Sequence, residues 1–413
     1  MAVTSGNLGA AGVRGFAILI GAAAIAVGSG CSSGSHSATP GGIDTKEAQA
    51  LNSQQFDQAD SAARTVLAPA EGSFLHAKNR VTTLASTTPD NGDVNPYAIW
   101  PVVADLGTMH SGDILVDNFN NKSNNQGTGT TIVNVHPDKT VTTFATVPQN
   151  LPGCPGGVGL TTAMVVLKDG WVIVGSLPST DGKVDTSGPG CLIELTPTGA
   201  VAGTIAADYL NGPWDAAVVD NGDTATLFVS NTLDGVKEAG TNTVNKGTVV
   251  RLTLHQTPTS VPIVANHVVV ADSLPQRADA AAFVKGPTGL VIDPAGTLYI
   301  ADNLGNRIAT VANALTRQDS AGVGATLTSG GQLANPLGMD RAPSGNLLVA
   351  NATNGKIVEI SPSGTQLGAY YANQDVAQDP PGNGNLFDIA VNQAKDGLLF
   401  VNDDNNTLSL LHP

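Results

Sequence analysis

Charge is scarce in this chain. Only 13% of its 413 residues are Asp, Glu, Lys or Arg, and aromatic residues make up 4%. Basic side chains are the scarcer sign, with 19 Lys+Arg against 34 Asp+Glu and a formal net charge of −15. An acidic surface repels phosphates, so nucleic acid is excluded as a partner. At 41% hydrophobic the chain is too apolar for disorder and too polar for a multispan membrane protein. Also missing are a Walker loop, a dinucleotide fingerprint and a G-x-S-x-G elbow, and no Ser–His–Asp set can be placed from spacing. Sustained helical periodicity is absent from residues 80–413, apart from a short stretch at 312–319. Turn formers are abundant instead, with 48 Gly and 24 Pro.

One long apolar run stands out. Residues 16–27, FAILIGAAAIAV, follow Arg14 and lead into Gly28-Ser29-Gly30-Cys31. Twelve residues are too few to span a bilayer but suit the core of a signal peptide. The pattern resembles a bacterial lipoprotein signal, which implies cleavage before Cys31 and acylation of its thiol. Gly28 stands where that pattern usually has Leu, and an ordinary secretory signal or an uncleaved anchor are the alternatives. Residues 1–30 are thus expected to be a signal peptide and 31–79 a lipidated tether and lead-in, with the Ser/Gly-rich stretch 32–43 flexible. An amphipathic helix is expected around Lys46–Leu67. The address implied is export and membrane anchoring on the cell envelope, at the outer membrane where there is one, because Ser32 is not an acidic retention signal.

Cysteine is nearly absent, with three in all. If Cys31 carries lipid, Cys154 and Cys191 remain, either bridged in an oxidising compartment or as two free thiols in turns. A bridge would close a loop worth on the order of 4 kcal/mol in the chain-entropy model.

Repeats organise everything after residue 80. The segment GPTGLVIDPAGTLYIADNLGNRIATV at 286–311 reads as three short strands separated by polar turns, and NPLGMDRAPSGNLLVANATNGKIVEI at 335–360 repeats it. A weaker copy spans 385–411, and earlier copies carry insertions. Aligned on the middle strand, each copy ends in one small polar residue: Asn118, Ser176, Asn231, Asp302, Asn351 and Asn402. The spacings of 58, 55, 71, 49 and 51 residues each accommodate a four-stranded blade. Six copies predict an all-β, six-bladed β-propeller over residues 80–413. Its closure is also readable. RVTTLASTTP at 80–89 nearly repeats TVTTFATVP, the outer strand of blade one, while the last copy ends after three strands. Residues 80–86 should therefore supply the fourth strand of the last blade, with both of its faces packed.

The residues Pro287, Gly289, Asp293, Gly296, Tyr299, Ala301, Asp302, Asn306, Arg307 and Ile308 resemble an NHL repeat. The second copy keeps Pro336, Gly338, Gly345, Asn351 and Ile357 but has Lys356 where Arg is expected. Residues 112–132 also resemble exported bacterial propeller proteins, a likeness that brings no activity with it.

Ligands of propellers sit at the central channel or on loops crossing one face. Asp215 and Asp388 occupy the slot held by Gly289 and Gly338 in other copies. Two carboxylates there could take Ca²⁺ or another divalent cation through oxygen, or share acid–base work. The simpler reading is that each accepts nearby backbone N–H groups. The Asn-rich segments Asp117–Asn125 and Asn402–Asn406 lack the spacing of a calcium loop and read as solvated turns. Trp100, Trp214, Tyr97 and Tyr209 lie in blade-entry segments, placed either to anchor a partner or to pack the channel and blade interfaces.

Resemblance to enzymes on this fold can be tested by residue. Six-bladed lactonases similar to gluconolactonase imply a metal-binding Asn and a catalytic Asp in Pro-x-Gly turns. Here those turns read Pro287-Thr288-Gly289 and Pro336-Leu337-Gly338, so the ligand pattern is not matched. The zinc of peptide-amidating lyases implies channel histidines, and none of the seven His falls on such a position. No cofactor is required by any motif. The favoured function is therefore a lipid-anchored, non-catalytic binding or scaffolding module for an envelope protein, peptide or glycan. The alternative is a divalent-metal-dependent hydrolase or lyase working through Asp215 and Asp388 at the channel.

Overall fold

The computed structural model describes residues 66–373 and 378–413. The apolar run, Cys31 and all but the last two residues of the helix expected around Lys46–Leu67 lie outside them. Among the described residues no helix is long and apolar enough to cross a membrane.

Six antiparallel sheets follow one another along the chain. Blade one is β2 (Val94–Pro101), β3 (Ile114–Asn120), β4 (Thr131–Val135) and β5 (Val141–Thr146). Blade two is β6 (Leu160–Val166), β7 (Val172–Ser176), β8 (Cys191–Leu195) and β9 (Val201–Ile205). Blade three is β10 (Pro213–Asp220), β11 (Thr224–Asn231), β12 (Val244–Thr257), β13 (Ser260–Asp279) and the short β14 (Phe283–Lys285). Blade four runs from β15 (Pro287–Ile292) through β16 (Leu298–Asp302) and β17 (Arg307–Val311) to β18 (Ala325–Ser329). Blade five comprises β19 (Pro336–Arg341), β20 (Leu347–Asn351), β21 (Lys356–Ile360) and β22 (Gln366–Tyr371). Blade six is β23 (Leu386–Val391), β24 (Leu398–Asn402), β25 (Thr407–His412) and, last, β1 (Arg80–Ser86). The stretch 312–319 is a turn, bonded from Thr316 N and Arg317 N to Asn313 O, and not a helix.

Middle strands read as unbroken apolar runs because both of their faces are covered. In β7, Ile173 joins the cluster between blades two and three, and Val174 joins the one between blades one and two. Equivalent clusters fill the remaining interfaces, around Ile300, Val349 and Leu398. Blade six meets blade one through Val401, Leu408, Ile99 and Val116, and this cluster runs on into the channel.

Three of the small polar residues ending the middle strands stitch the strand to the loop that leads into its own blade. Asn118 Nδ2 donates to Thr87 O, and Ser176 Oγ accepts Gly159 N. Asn351 accepts Ala334 N through Oδ1 and donates through Nδ2 to Gln332 O. Asp302 accepts Gly305 N and the Arg307 Nε at 2.8 Å, which accounts for the Asp–Arg pair of the NHL-like copy. In blade five the corresponding cation, Lys356, lies over the Tyr371 ring at 5.1 Å.

β1 closes the ring as expected, pairing antiparallel with β25 from Arg80↔His412 to Ser86↔Thr407. Its packing differs from expectation. The register shifts between Thr83 and Ala85, so Leu84 and Ala85 both turn to the core while Val81 stays 43% exposed. A bulge breaks strict alternation, and an outermost strand has no neighbour on its far side. The Cys154–Cys191 disulfide ties the loop before β6 to the start of β8.

The lead-in is more than a tether. Ala70 N bonds Leu367 O, Ala369 N bonds Leu67 O, and Leu75 is fully buried between blades five and six. Buried Glu359 accepts both Phe74 N and Leu75 N at 2.9 Å, and Asn346 Nδ2 at 2.7 Å. A deletion that stops before residue 66 should leave the ring intact, whereas removal through residue 74 strips the bonds made by Leu67, Ala70 and Phe74. Leu75→Ala should cost about 2–5 kcal/mol, read as a lower midpoint in chemical denaturation; a variant as stable as the parent would show that the lead-in adds nothing to the fold.

Candidate binding site at the channel mouth

Inner strands of a propeller have one edge with no strand beyond it, so their N–H groups need other acceptors. All six inner strands carry a register shift near their start, seen for instance between Pro213/Ala216, Pro287/Leu290 and Leu386/Ile389. The shift frees inward N–H groups, and carboxylates of neighbouring strands accept them. Asp215 Oδ2 takes Leu290 N at 2.7 Å, Asp388 Oδ2 takes Ile99 N at 2.9 Å, and Asp340 Oδ2 takes Val391 N at 2.6 Å. Asp117 caps Ala98 N within blade one. In the slot of Asp215 and Asp388, blades four and five have glycine because the next blade comes too close. A Cβ on Gly289 would strike Leu337 O, and one on Gly338 would strike Phe387 O.

Asp215, Asp340 and Asp388 thus converge on one channel and line a cavity of about 580 Å³ at the end where inner strands finish. Burial pushes Asp215 up to about 7 and Asp340 up to about 6, against the pull of their N–H donors. Burial, and then the Asp215 charge, raise Asp388 well above the carboxylate range. Both candidate metal ligands are therefore engaged by backbone and placed to hold protons. Among the described residues no group of three or more His, Cys, Asp or Glu is gathered as a metal site would need.

The opposite end, where inner strands begin, is closed by aromatic rings. Tyr97 lies 4.2 Å from Phe387, 4.5 Å from Phe119 and 5.9 Å from Trp214, centroid to centroid. Trp214 is buried in this plug, and Trp100 lies half-buried at the other end, lining the larger cavity. Tyr209 stacks on His267 at 4.1 Å, away from both. Of the described histidines, none lines either cavity.

Above the aromatic plug is a pocket of about 220 Å³. Insertions build its rim. Blade one contributes Asn120, Asn124 and Gln126 from its Asn-rich loop. The extra residues of blade three, which make the 71-residue spacing, carry β13 and β14 over the mouth and supply Asp279, Ala282 and Lys285. Gln126 Nε2 donates to Ala281 O and joins the two insertions. Phe283, at φ 62°, turns inward against Phe119. The Asn-rich turns satisfy their own backbone, as when Asn121 Oδ1 accepts Ser123 N and Asn402 Oδ1 accepts Asp404 N. Thr288 and Leu337, from the two Pro-x-Gly turns, also line the pocket.

The pocket's polarity is unbalanced. Asn120 Oδ1, Gln126 Oε1 and Asn303 Oδ1 are buried acceptors with no hydrogen-bond partner, and the Trp214 indole N–H is a buried donor with none. Each such group costs about 1–3 kcal/mol if nothing meets it. Asp279 is neutralised by Lys285 at 3.0 Å. The Asp403 carboxyl accepts no hydrogen bond from the described residues, and burial followed by Asp404 repulsion pushes it up to about 7. Asn120 and Asp403 lie in the two Asn-rich segments that the sequence suggested were solvated turns; Asn120 is instead buried, and both line the pocket. Gln126 and Asn303 carried no signal beyond the oversized blade-three spacing.

No protein-family model matches the chain, and a comparison with curated proteins finds none similar in sequence. Solved structures do resemble it. A gluconolactonase from Xanthomonas campestris is 14% identical, with a TM-score of 0.51 over 84% of this chain and 97% of that one. A virginiamycin B lyase from Staphylococcus aureus is 11% identical, with a TM-score of 0.45 over 81% and 99%. Regucalcin from Agrobacterium tumefaciens, described as calcium-binding, is 13% identical, with a TM-score of 0.49 over 79% and 92%. At these identities the likeness shows the propeller fold alone.

The channel carboxylates set a sign for pH dependence. A carboxyl raised above its ordinary value binds more proton in the folded than in the unfolded chain. Stability should therefore fall as pH rises from about 4 through about 7. Asn keeps the carbonyl acceptor but cannot ionise, so Asp215→Asn/Asp388→Asn should lose less in melting temperature between pH 5 and pH 8 than the parent. Equal slopes would show that these groups do not hold protons in the fold.

Proposed function

We propose that this chain is a non-catalytic binding propeller of the cell envelope, exported, held at the membrane by lipid on Cys31, and engaging its partner at the channel mouth. The observation that carries this reading is the mouth pocket itself: a concave site rimmed by two insertions, with buried polar atoms left unpartnered around an aromatic floor. Buried groups left so are what a ligand's own donors and acceptors would satisfy. A rigid six-bladed ring suits recognition because the rim is positioned by the blades beneath it. A protein, peptide or glycan partner fits such a rim, and the acidic surface disfavours polyanions.

The competing reading is a hydrolase or lyase using a divalent ion, which the resemblance of the fold to gluconolactonase brings to mind. Asp215 and Asp388 are poorly placed for it, since each already accepts neighbouring N–H groups. The two readings part on a simple measurement. A melting temperature unmoved by EDTA and by Ca²⁺ is expected here; a rise of several degrees with Ca²⁺ that Asp215→Asn abolishes would favour the metal enzyme.

The membrane address has its own test. Palmitate labelling should be lost in Cys31→Ala, with the protein moving to the soluble fraction. Labelling that persists in that variant would overturn the lipid anchor.

A further inference from the structure

The mouth pocket combines three features that together select a class of ligand. Its floor is aromatic, with Tyr97, Trp214 and Phe387 all lining it. Its unpartnered amide atoms are acceptors: Asn120 Oδ1, Gln126 Oε1 and Asn303 Oδ1. Asn120 and Asn303 are each 2% exposed, and their Nδ2 groups are already committed, to Asn124 Oδ1 and to the carbonyls of Asn335 and Pro336. Rotating these amides would therefore exchange one unmet group for another. Finally, one acid of the pocket has no cationic partner. Lys285 cancels Asp279, which leaves the Asp403 carboxylate.

These features discriminate between candidates. A neutral polyol would satisfy the acceptors but leave Asp403 without a counter-ion. A hard cation such as Ca²⁺ wants six to eight oxygens, and an aromatic floor offers it faces in place of water. An ammonium group uses all three features, because it donates three hydrogen bonds, carries one positive charge and is attracted to aromatic faces. The Trp214 indole N–H then remains for an acceptor further along the same ligand. A peptide carbonyl provides one and a bare alkylamine does not.

Resting on the reading of the mouth as the binding site, we propose that the pocket receives the ammonium group of a peptide-borne lysine side chain, with Asp403 as counter-ion, the Asn120 and Asn303 amide oxygens as acceptors, and the Tyr97 and Trp214 rings beneath it. The overall charge of −15 would draw such a partner toward the ring. Asp403 faces Asp404 and Tyr97, with the Lys285–Asp279 pair on the opposite rim. Burial and Asp404 hold its carboxyl at about 7 in the free protein, so the ammonium must bind against a proton. Affinity should then rise as pH increases from 6 to 8, the range in which that proton is lost while the lysine stays charged.

Isothermal titration of the full chain tests this with four probes: N-acetyl-lysine methylamide, n-butylammonium, glucose and CaCl₂. The lysine derivative should bind saturably and more tightly than butylammonium, tighten by several-fold from pH 6 to pH 8, and weaken at least tenfold in Asp403→Asn. Unchanged affinity in that variant, or no dependence on pH, would overturn the assignment of Asp403. If glucose or Ca²⁺ binds and the amines do not, the ligand class is wrong while the mouth stands as the site, provided that Asn303→Leu weakens that binding. Absence of heat with all four probes would overturn both readings. Circular dichroism of each variant against the parent identifies loss of fold, and Asp403→Glu, which restores the charge, should recover binding where Asp403→Asn does not.

Discussion

Antiparallel pairing of Arg80–Ser86 with Thr407–His412 converts a row of blades into a ring. Without it, β25 would present a free ladder edge and the interface of blade six with blade one would lose its outer support. The two pairing segments lie more than 300 residues apart in sequence, so closure is a long-range contact made against loop entropy. Everything in the channel presupposes it: Asp388 of the last blade reaches Ile99 of the first, and Phe387 meets Tyr97.

Closure creates the second constraint. Six inner strands are brought edge to edge around an axis that no further strand can occupy, which leaves backbone donors pointing inward. The chain meets this with short acidic side chains where a neighbour can be reached, and with glycine where the neighbour comes too close. The same slot thus holds Asp215 and Asp388 in two blades and Gly289 and Gly338 in two others. Aromatic rings then fill the level above, which divides the channel into a larger cavity at one end and a small, capped pocket at the other.

Much of this is readable from local pattern. The six small polar residues at middle-strand ends count the blades, and the likeness of RVTTLASTTP to TVTTFATVP identifies the closing strand, because both signals repeat. What does not repeat was hidden. Leu84 is displaced by a bulge, which no periodicity encodes. Glu359 accepts the N–H groups of Phe74 and Leu75 across more than 280 residues, a relation only the folded ring creates. The slot of Asp215 and Asp388 was visible, but their backbone partners belong to other blades. The mouth pocket depends on where blade-one and blade-three insertions meet, so its residues had no common signature, although the excess length of blade three marked the place.

The buried acids have a consequence for how the whole molecule behaves as an electrolyte. Asp117, raised to about 8 by burial, and Glu194, whose buried carboxyl is raised to about 7, join the channel carboxylates in keeping protons inside the fold. The charge of −15 counts every one of these groups as ionised. At neutral pH the folded ring is therefore less negative than its composition states, and its electrophoretic mobility follows the smaller charge. Melting it in a weakly buffered neutral solution would acidify the medium, as the opened chain surrenders protons that the blades had kept from water.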